Sequence, residues 1–554
     1  MSEQKQSSRQ TFLAGALTGS AGVFLSKAIG LFYVVPFTAI AGEENMAFYS
    51  AAFTYYDILL QICSAGLPFA VAAIVAKYAN RNDYKTVLLV RKLSASILTV
   101  SGLIMAVLFA ASSGWLSKIV LGTSATAQDL ATMRTTFIIL SLALFLVPIL
   151  YSYRGFYQGF KEMKAYAFSQ VLEQVFRVAC LLGIGWVLVY VLQLDKITAI
   201  YAAVLSTSLG ALAAIFYFVR FDHQHYGEIA RAARSQETRG RVPKQLLLEL
   251  LGFGIPYLIS SLLGNTQNLI NTNFFISVNT SLGMAYEQAK LLYGIIQVQC
   301  AKLISIPQVL SIGFSAGLVP YMTIAMENHD RRALQKTVLS CLDSVFYIAM
   351  PICVMMFFLA EPIYYIMYGN ANLSIGAECL RWSSMLALAS TISPICTSTM
   401  MTLRLHKQSI IYLLIGFAVK CISFYPLIRY TGYTGAITSS ILTSLVIIFL
   451  DLGKIKNRYG IHYARTWKRL FRIIIGCLCM NGAFALLKMT PLNFQGVGRV
   501  GTIFVFAVYA VIGLIVYFYI TSMMHVPQCI FGMNRNEIIS KILRTIGIRR
   551  KQKA

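Results

Sequence analysis

The sequence predicts an all-α polytopic membrane protein with about fourteen transmembrane helices. Of its 554 residues, 57% are hydrophobic and 12% are charged, and the mean hydropathy is +0.67. A soluble protein usually carries about 25% charged residues. Apolar runs of about 20 residues, the length that crosses a bilayer, recur along the whole chain. Similar segments in its two halves indicate two six-helix lobes around a central cavity, followed by a helix pair.

The apolar runs group into two lobes and a C-terminal pair. The first lobe, residues 1–220, has spans at about 12–39, 47–76, 87–111, 132–157, 166–190 and 197–219. A basic cytoplasmic linker, 221–245, leads to the second lobe, 246–453, with spans at about 246–277, 284–322, 335–360, 377–402, 408–428 and 434–452. Residues 454–524 hold a cytoplasmic loop and spans at about 470–489 and 499–524, and 525–554 form a basic amphipathic cytoplasmic tail.

An internal repeat relates the two lobes. The segment MAFYSAAFTYY at 46–56 resembles MAYEQAKLLYG at 284–294, and each opens the second span of its half. The segment near 76–87 likewise resembles the one near 324–338, and each precedes a third span. Two six-span halves that both begin inside are predicted to be parallel repeats, related by an axis along the membrane normal.

The distribution of basic residues predicts the orientation. With the N-terminus inside, 35 of the 47 lysines and arginines fall on cytoplasmic segments and 7 on outer loops. Cytoplasmic loops of membrane proteins carry such an excess. Both termini are therefore predicted to be cytoplasmic, and the net charge of +26 does not indicate a nucleic-acid partner.

Five cations remain inside the predicted spans, at Lys27, Arg177, Lys290, Lys302 and Lys420. A charge at bilayer depth costs about 3 kcal/mol or more, so it normally faces a partner or a wet cavity. Lys27 and Lys302 have no acidic residue three or four positions away. We expect them to bind a pyrophosphate as point charges, with a long-range ion pair to Asp57 as the alternative.

Polar side chains follow two of the predicted helices at helical spacing. The second span carries Asp57 and Gln61, and the seventh carries Asn265, Asn268 and Thr272. Lipid cannot satisfy such groups, so they face water or other helices. We expect them to line the cavity; hydrogen bonding between helices is the alternative.

Glu173 and Arg177 stand four residues apart on the fifth span, which is the spacing of an ion pair on one helix. A structural pair and a substrate contact are both consistent with this spacing. Lys420 has no local acidic partner and is a further candidate for the cavity lining.

No enzyme signature occurs in the sequence. It contains no Walker A, His-Glu-x-x-His or Gly-x-Ser-x-Gly motif, and its six histidines lack metal-site spacing. The chain is therefore predicted to be a transporter rather than an enzyme, without a metal or organic cofactor. The transport is expected to be driven by a coupling ion, H⁺ or Na⁺, or by the membrane potential, with Asp57 as the candidate ion-binding group.

Several segments resemble one transporter family. They are LSKAIGLFYVVP at 25–36, SAGLPFAVAAIVAKYAN at 64–80, SQVLEQVFRV at 169–178, AKLISIP at 301–307 and GYTGAITSSI at 432–441. They are similar to the MurJ (MviN) and stage V sporulation protein B branch of the multidrug/oligosaccharidyl-lipid/polysaccharide exporter superfamily. The resemblance implies a lipid II flippase of a bacterial cell membrane, working by alternating access.

The resemblance also implies a pyrophosphate site of basic residues on the first, second and eighth spans. Lys27 and Lys302 match the first- and eighth-span positions, whereas Leu60 or Gln61 stands at the second-span position and Tyr33 at a further first-span position. Arg177 and Lys420 are the candidates to supply the missing charge. The last two spans correspond to those that hold the polyprenyl tail in the family.

Three other functions are weighed against a lipid II flippase. A flippase for another undecaprenyl-linked glycan, such as a capsule, teichoic-acid or exopolysaccharide unit, needs the same pyrophosphate site. A multidrug or cation antiporter favours an acidic cavity, which a lysine on the first span opposes. A membrane scaffold leaves the buried lysines unexplained. The expected partners are the lipid-linked oligosaccharide and membrane lipids, with cell-wall synthesis or division proteins as candidates.

Overall fold

The computed structural model describes residues 29–30, 33–64, 66–160, 162–236, 242–309, 311, 322, 325–326, 329–492, 494 and 496–531. These residues form α-helices and short connections, and no β-strand occurs among them. Ten helical segments of this part of the chain are long and apolar enough to cross a membrane. The predicted fold class, an all-α polytopic membrane protein, is confirmed, and the total of fourteen helices stays a prediction.

Packing divides the chain into two compact units. The first comprises Met1–Lys302 and Phe424–Ala436, and the second comprises Leu303–Ser423 and Ile437–Ala554. This grouping does not test the lobe boundaries predicted from the sequence, at 220 and 246, which therefore stay a prediction.

Ile29 and Gly30 are helical, and the helices of the first unit with described bounds follow Tyr33. They are α1 (Val34–Ala41), α2 (Met46–Ser64), α3 (Leu67–Ala79), α4 (Tyr84–Leu121), α5 (Ala127–Gly159), α6 (Met163–Trp186), α7 (Ile197–Ser235), α8 (Pro243–Ser281) and α9 (Tyr286–Gly294). The pairs α4–α5, α6–α7 and α5–α7 pack along much of their length.

The helices of the second unit follow Lys302. They are α10 (Arg331–Phe358), α11 (Ala360–Tyr368), α12 (Leu373–Thr402), α13 (His406–Thr431, whose last residues belong to the first unit), α14 (Gly435–Tyr459), α15 (Ala464–Lys488), α16 (Arg499–Met523) and α17 (Val526–Phe531). α10, α12 and α14 share one buried core, and α10 shares a second with α15 and α16.

Side-chain caps mark the starts of several long helices. Asp83 accepts a hydrogen bond from the backbone N–H of Thr86 at the start of α4, and Thr126 does the same for Asp129 at the start of α5. Such caps satisfy backbone donors that have no partner inside the helix. They explain why the observed helices extend a few residues beyond the apolar runs that predict them.

The second predicted span, 47–76, is broken in two. α2 ends at Ser64 and α3 begins at Leu67, with Gly66 between them at a φ of +68° and Pro68 in the first turn of α3. Glycine tolerates this left-handed conformation, and proline fits the first helical turn but not the interior. The span predicted at 47–76 therefore consists of two helices, α2 and α3.

The predicted linker 221–245 is partly helical. α7 continues through it as far as Ser235, and α8 begins at Pro243. The stretch GEIARAARS is rich in alanine and arginine, which favour helix, and it contains no proline. The polar residues 221–235 therefore form the exposed C-terminal end of α7.

Two spans contain π-helical turns. One runs from Val187 to Val191 and extends α6, and the other runs from Ile295 to Cys300 and extends α9. Helical structure continues after the second turn to Val309, so Lys302 lies just beyond a π-turn. Such turns widen the helix by one residue and are often found at functional sites.

Three predictions lie outside the described residues. Lys27 and most of the first span precede Ile29, the end of the eighth span at 312–321 follows Val309, and the amphipathic pattern of the tail lies at 536–553.

Candidate functional site

The candidate site of the first unit is centred on Tyr33, at the start of α1. The guanidinium carbon of Arg177, on α6, lies 5.7 Å from the centroid of its ring, and Nζ of Lys302 lies 5.4 Å from the same centroid. Both distances are within the range of cation–π attraction. Tyr33 is only 3% exposed, so its ring is a fixed platform for two cations that are far apart in sequence.

Tyr33 is held in place by α2. Its hydroxyl shares a hydrogen bond of 2.7 Å with that of Tyr49, and the ring of Tyr49 packs at 4.6 Å from that of Phe53. The guanidinium of Arg177 also lies 6.0 Å from the Phe53 ring. Aromatic side chains thus lie on two sides of Arg177, and they make its surroundings less polar than water.

Asp57 lies two turns beyond Tyr49 on α2. Its side chain is exposed even though it stands in the middle of an apolar helix, and Arg177 and Lys302 both act electrostatically on it. Asp57 forms no ion pair with a described cation. We call Tyr33, Tyr49, Asp57, Arg177 and Lys302 the Tyr33 cluster; its two cations and one carboxylate leave a net positive charge.

The local ion pair between Glu173 and Arg177, one of the two alternatives from the sequence, does not form. Glu173 accepts a hydrogen bond of 2.7 Å from Arg154, on α5, and Arg154 also donates to the hydroxyl of Ser169. Arg177 has no ion pair with a described carboxylate, and its Nε is buried with no hydrogen-bond partner among the described residues. Its positive charge is therefore available to a ligand.

A polar cavity lies beside the Tyr33 cluster and has a volume of about 330 Å³. Its polar lining comes from α2, α5 and α6, namely Gln61, Ser64, Tyr151, Arg154, Gln158, Tyr166 and Gln170. Since the charge of Arg154 is matched by Glu173, this polar cavity offers neutral amide and hydroxyl groups. Gln61 follows Asp57 by four residues, which places it on the same helix face, about 6 Å along the axis.

Most of this lining escaped the sequence analysis. Gln61 was a candidate, but Tyr151, Arg154 and Gln158 on α5 and Tyr166 on α6 were not. Their spacing is a weak signal, since residues 151, 154 and 158 stand three and four positions apart, on one helix face.

The polar residues of α8 have different surroundings. Thr272 is buried and accepts a hydrogen bond of 2.9 Å from the hydroxyl of Tyr293, whereas Asn268 is exposed and Asn265 is half-buried. Thr272 therefore has the contact expected of a residue that joins two helices. The roles of Asn265 and Asn268 in the cavity lining stay predictions.

Two further lysines have partners of their own. Lys290 forms ion pairs with Asp129 at 3.2 Å and with Glu287 at 2.8 Å. Lys420, in the second unit, is fully buried and donates hydrogen bonds of 2.7 Å to the hydroxyls of Ser439 and Ser440. Of the candidate cations in the described part of the first unit, Arg177 and Lys302 are therefore the two that lie at the ring of Tyr33.

The comparisons with known proteins cover most of the chain. The sequence model described as "Polysaccharide biosynthesis protein" matches residues 12–326. The lipid II flippase MurJ of Bacillus subtilis (strain 168) is 26% identical over 529 residues, which cover 94% of this chain and 96% of the relative.

Solved structures agree with this similarity. The inward closed conformation of a lipid II flippase MurJ superposes with a TM-score of 0.66 at 13% identity, covering 92% of this chain and 99% of that one. The inward-facing conformation of a multidrug resistance transporter of the MATE family gives a TM-score of 0.61 at 14% identity, covering 79% and 95%. Both likenesses concern the fold.

Proposed function

Since the chain belongs to the polysaccharide biosynthesis protein family, whose model matches more than half of its length, we propose that it is a flippase for an undecaprenyl-pyrophosphate-linked glycan, with lipid II as its substrate. Its relatives that are named for an activity are a flippase and transporters, and the chain is not an enzyme. The Tyr33 cluster carries the proposal for the substrate.

The charge of the Tyr33 cluster suits a pyrophosphate. Arg177 offers a planar set of donors that can bind two phosphate oxygens at once, and Lys302 offers a point charge. Both stand against one buried ring, so little side-chain freedom is left to lose when the anion binds. We propose that Lys27 adds a third charge, and that Asp57 binds the coupling ion if transport uses H⁺ or Na⁺.

The polar cavity suits the sugar that follows the pyrophosphate. In such a lipid the first sugar is bonded directly to phosphate, so its site must lie within a few ångströms of the cations. Gln61 places the polar cavity about one helical turn from Asp57. A volume of about 330 Å³ is at the lower end of the range for ligand sites, about 300–1,000 Å³, and fits one sugar residue rather than a whole head group.

The transported lipid is tested by depleting the protein in its host and measuring undecaprenyl-linked precursors in each leaflet. Accumulation of lipid II in the inner leaflet is the expected result. Accumulation of a different glycan lipid, with normal lipid II export, would move the assignment to a capsule, teichoic-acid or exopolysaccharide unit. Normal distribution of every such lipid would leave a multidrug or cation antiporter, or a second flippase that exports the same lipid in parallel.

The site is tested in the same host by complementation. Lys27→Ala and Lys302→Ala are each expected to abolish export, because each removes one of the charges that hold the pyrophosphate. The matched control is Lys118→Ala, an exposed lysine in the last turn of α4 that should complement fully. Full complementation by both site variants, at normal protein levels, would rule out the two-lysine site.

A further inference from the structure

A second cavity, of about 660 Å³, lies in the second unit and is not part of the proposed transport site. It is formed where α10 begins, where α12 connects to α13, and where α14 ends. Its charged lining residues are Arg331, Arg404 and Arg458, with Asp330 beside them. We call this cavity the arginine cleft.

The three arginines come from three separate elements and are all exposed. None forms an ion pair with a described carboxylate. The carboxylate of Asp330 is committed to the backbone, since its Oδ1 accepts hydrogen bonds of 3.0 Å from the N–H groups of Arg332 and Ala333. The cleft therefore has an excess of positive charge that the described protein groups do not neutralise.

The backbone around the arginine cleft is held in an unusual conformation. Arg404 has a φ of +58° and His329 a φ of +52°, values that are uncommon for residues other than glycine. The turn that carries Arg404 is fixed by Tyr459, whose hydroxyl donates a hydrogen bond of 2.8 Å to the carbonyl of Leu403. Both residues close the end of a helix in the left-handed conformation, since the N–H of Leu405 donates to the carbonyl of Met400 and that of Asp330 donates to the carbonyl of Ala325.

The inner side of the arginine cleft is apolar. Ala325 and Leu334 line it and are 5% and 3% exposed, and both belong to the core that α10, α12 and α14 share. Met326 and Tyr459 also line the cleft and pack against the same core. The cleft thus combines an apolar inner surface with a cationic rim. These two surfaces complement an anionic lipid, whose acyl chains are apolar and whose head group is negatively charged.

We propose that the arginine cleft binds a phosphate-bearing anion, namely the head group of an anionic membrane phospholipid. Its three arginines lie on segments that the distribution of basic residues assigns to the cytoplasmic face. Basic pockets between transmembrane helices on that face bind anionic lipid head groups. A free phosphate ion shares the chemistry of the rim but makes no use of the apolar surface.

The proposal is tested by native mass spectrometry of the full-length protein in detergent, titrated with phosphatidylglycerol. The variant carries Arg404→Gln and Arg458→Gln together. Its affinity for the lipid is expected to fall about tenfold or more, since each basic residue near a lipid surface contributes about 1 kcal/mol and 1.4 kcal/mol is tenfold. Arg465→Gln removes an exposed arginine of α15 outside the cleft and should bind as the wild type does.

Two further measurements make the result decisive. The thermal midpoint of the lipid-free variant should equal that of the wild type, and the charge-keeping variant Arg404→Lys supplies a folded reference if it does not. A parallel titration with inorganic phosphate identifies the source of the anion. Equal lipid affinity in the wild type and the double variant would overturn the site, and displacement of the lipid by phosphate at similar concentrations would overturn its assignment to a lipid.

Discussion

Two arginines of the first unit stand near the same glutamate and have opposite surroundings. Arg154 is 6% exposed and donates to both Glu173 and Ser169. Arg177 stands on the same helix as Glu173 but lies against the rings of Tyr33 and Phe53 and has no ion pair with a described carboxylate. The charge of Arg154 is neutralised by Glu173, whereas the charge of Arg177 is not neutralised by a described carboxylate.

The difference teaches that buried charge has two uses in this chain. A cation matched by a carboxylate joins helices, as Lys290 does with Asp129 and Arg469 with Asp343. A cation supported only by aromatic faces gains about 0.5–2 kcal/mol from each, which is too little to replace hydration. The deficit is recovered when an anion binds, so Arg177, whose Nε has no hydrogen-bond partner among the described residues, indicates a ligand where Arg154 indicates a scaffold.

The largest effect is expected on the scaffold side, for Arg154→Met. Removing one partner of a buried ion pair strands the other, and the free energy of unfolding should fall by about 3 kcal/mol or more. Thermal unfolding in detergent measures it. Arg134→Met, an exposed position on the same helix, is the control and should unfold as the wild type does. An unchanged thermal midpoint for Arg154→Met would show that Arg154 does not stabilise the fold, and would contradict the contrast between a structural Arg154 and a ligand-binding Arg177.

The next effect is expected on the ligand side, for Arg177→Gln. Loss of a charge-assisted hydrogen bond to the substrate costs about 1.5–3 kcal/mol, so the rate of lipid export should fall about tenfold or more while the thermal midpoint is kept. Export in a depleted host complemented with the variant measures it. Arg177→Lys keeps the charge and should retain part of the activity. If Arg177→Gln lowered the thermal midpoint and left the export rate unchanged, Arg177 would be a structural residue and not a substrate-binding one.

The smallest effect is expected for Tyr33→Phe. This change removes the hydrogen bond to Tyr49 but keeps the ring on which both cations lie, so stability should fall by about 1 kcal/mol and export should change little. Tyr33→Leu removes the ring as well and should reduce export clearly. Equal export by the phenylalanine and leucine variants would show that the ring does not position the cations.

The sequence predicts most of the helices because bilayer thickness fixes their length. The spans near 377–402 and 499–524 are found as Leu373–Thr402 and Arg499–Met523. Hydropathy does not show the break at Gly66, since the residues on both sides are as apolar as those of an unbroken helix, and only Gly66 and Pro68 signal it. The partner of Glu173 was missed for another reason: spacing along one helix reports neighbours on that helix, whereas Arg154 approaches from another.

The π-helical turn from Ile295 to Cys300 has a consequence for any comparison of sequences in this region. Such a turn accommodates one more residue than α-helical hydrogen bonding does, and one residue corresponds to a rotation of about 100° around the helix axis. In a relative that lacks the turn, the residue facing the ring equivalent to Tyr33 would be numbered one position away from the column of Lys302. A gap placed inside this turn would realign the charges, whereas an ungapped alignment would report a substitution where the chemistry is kept.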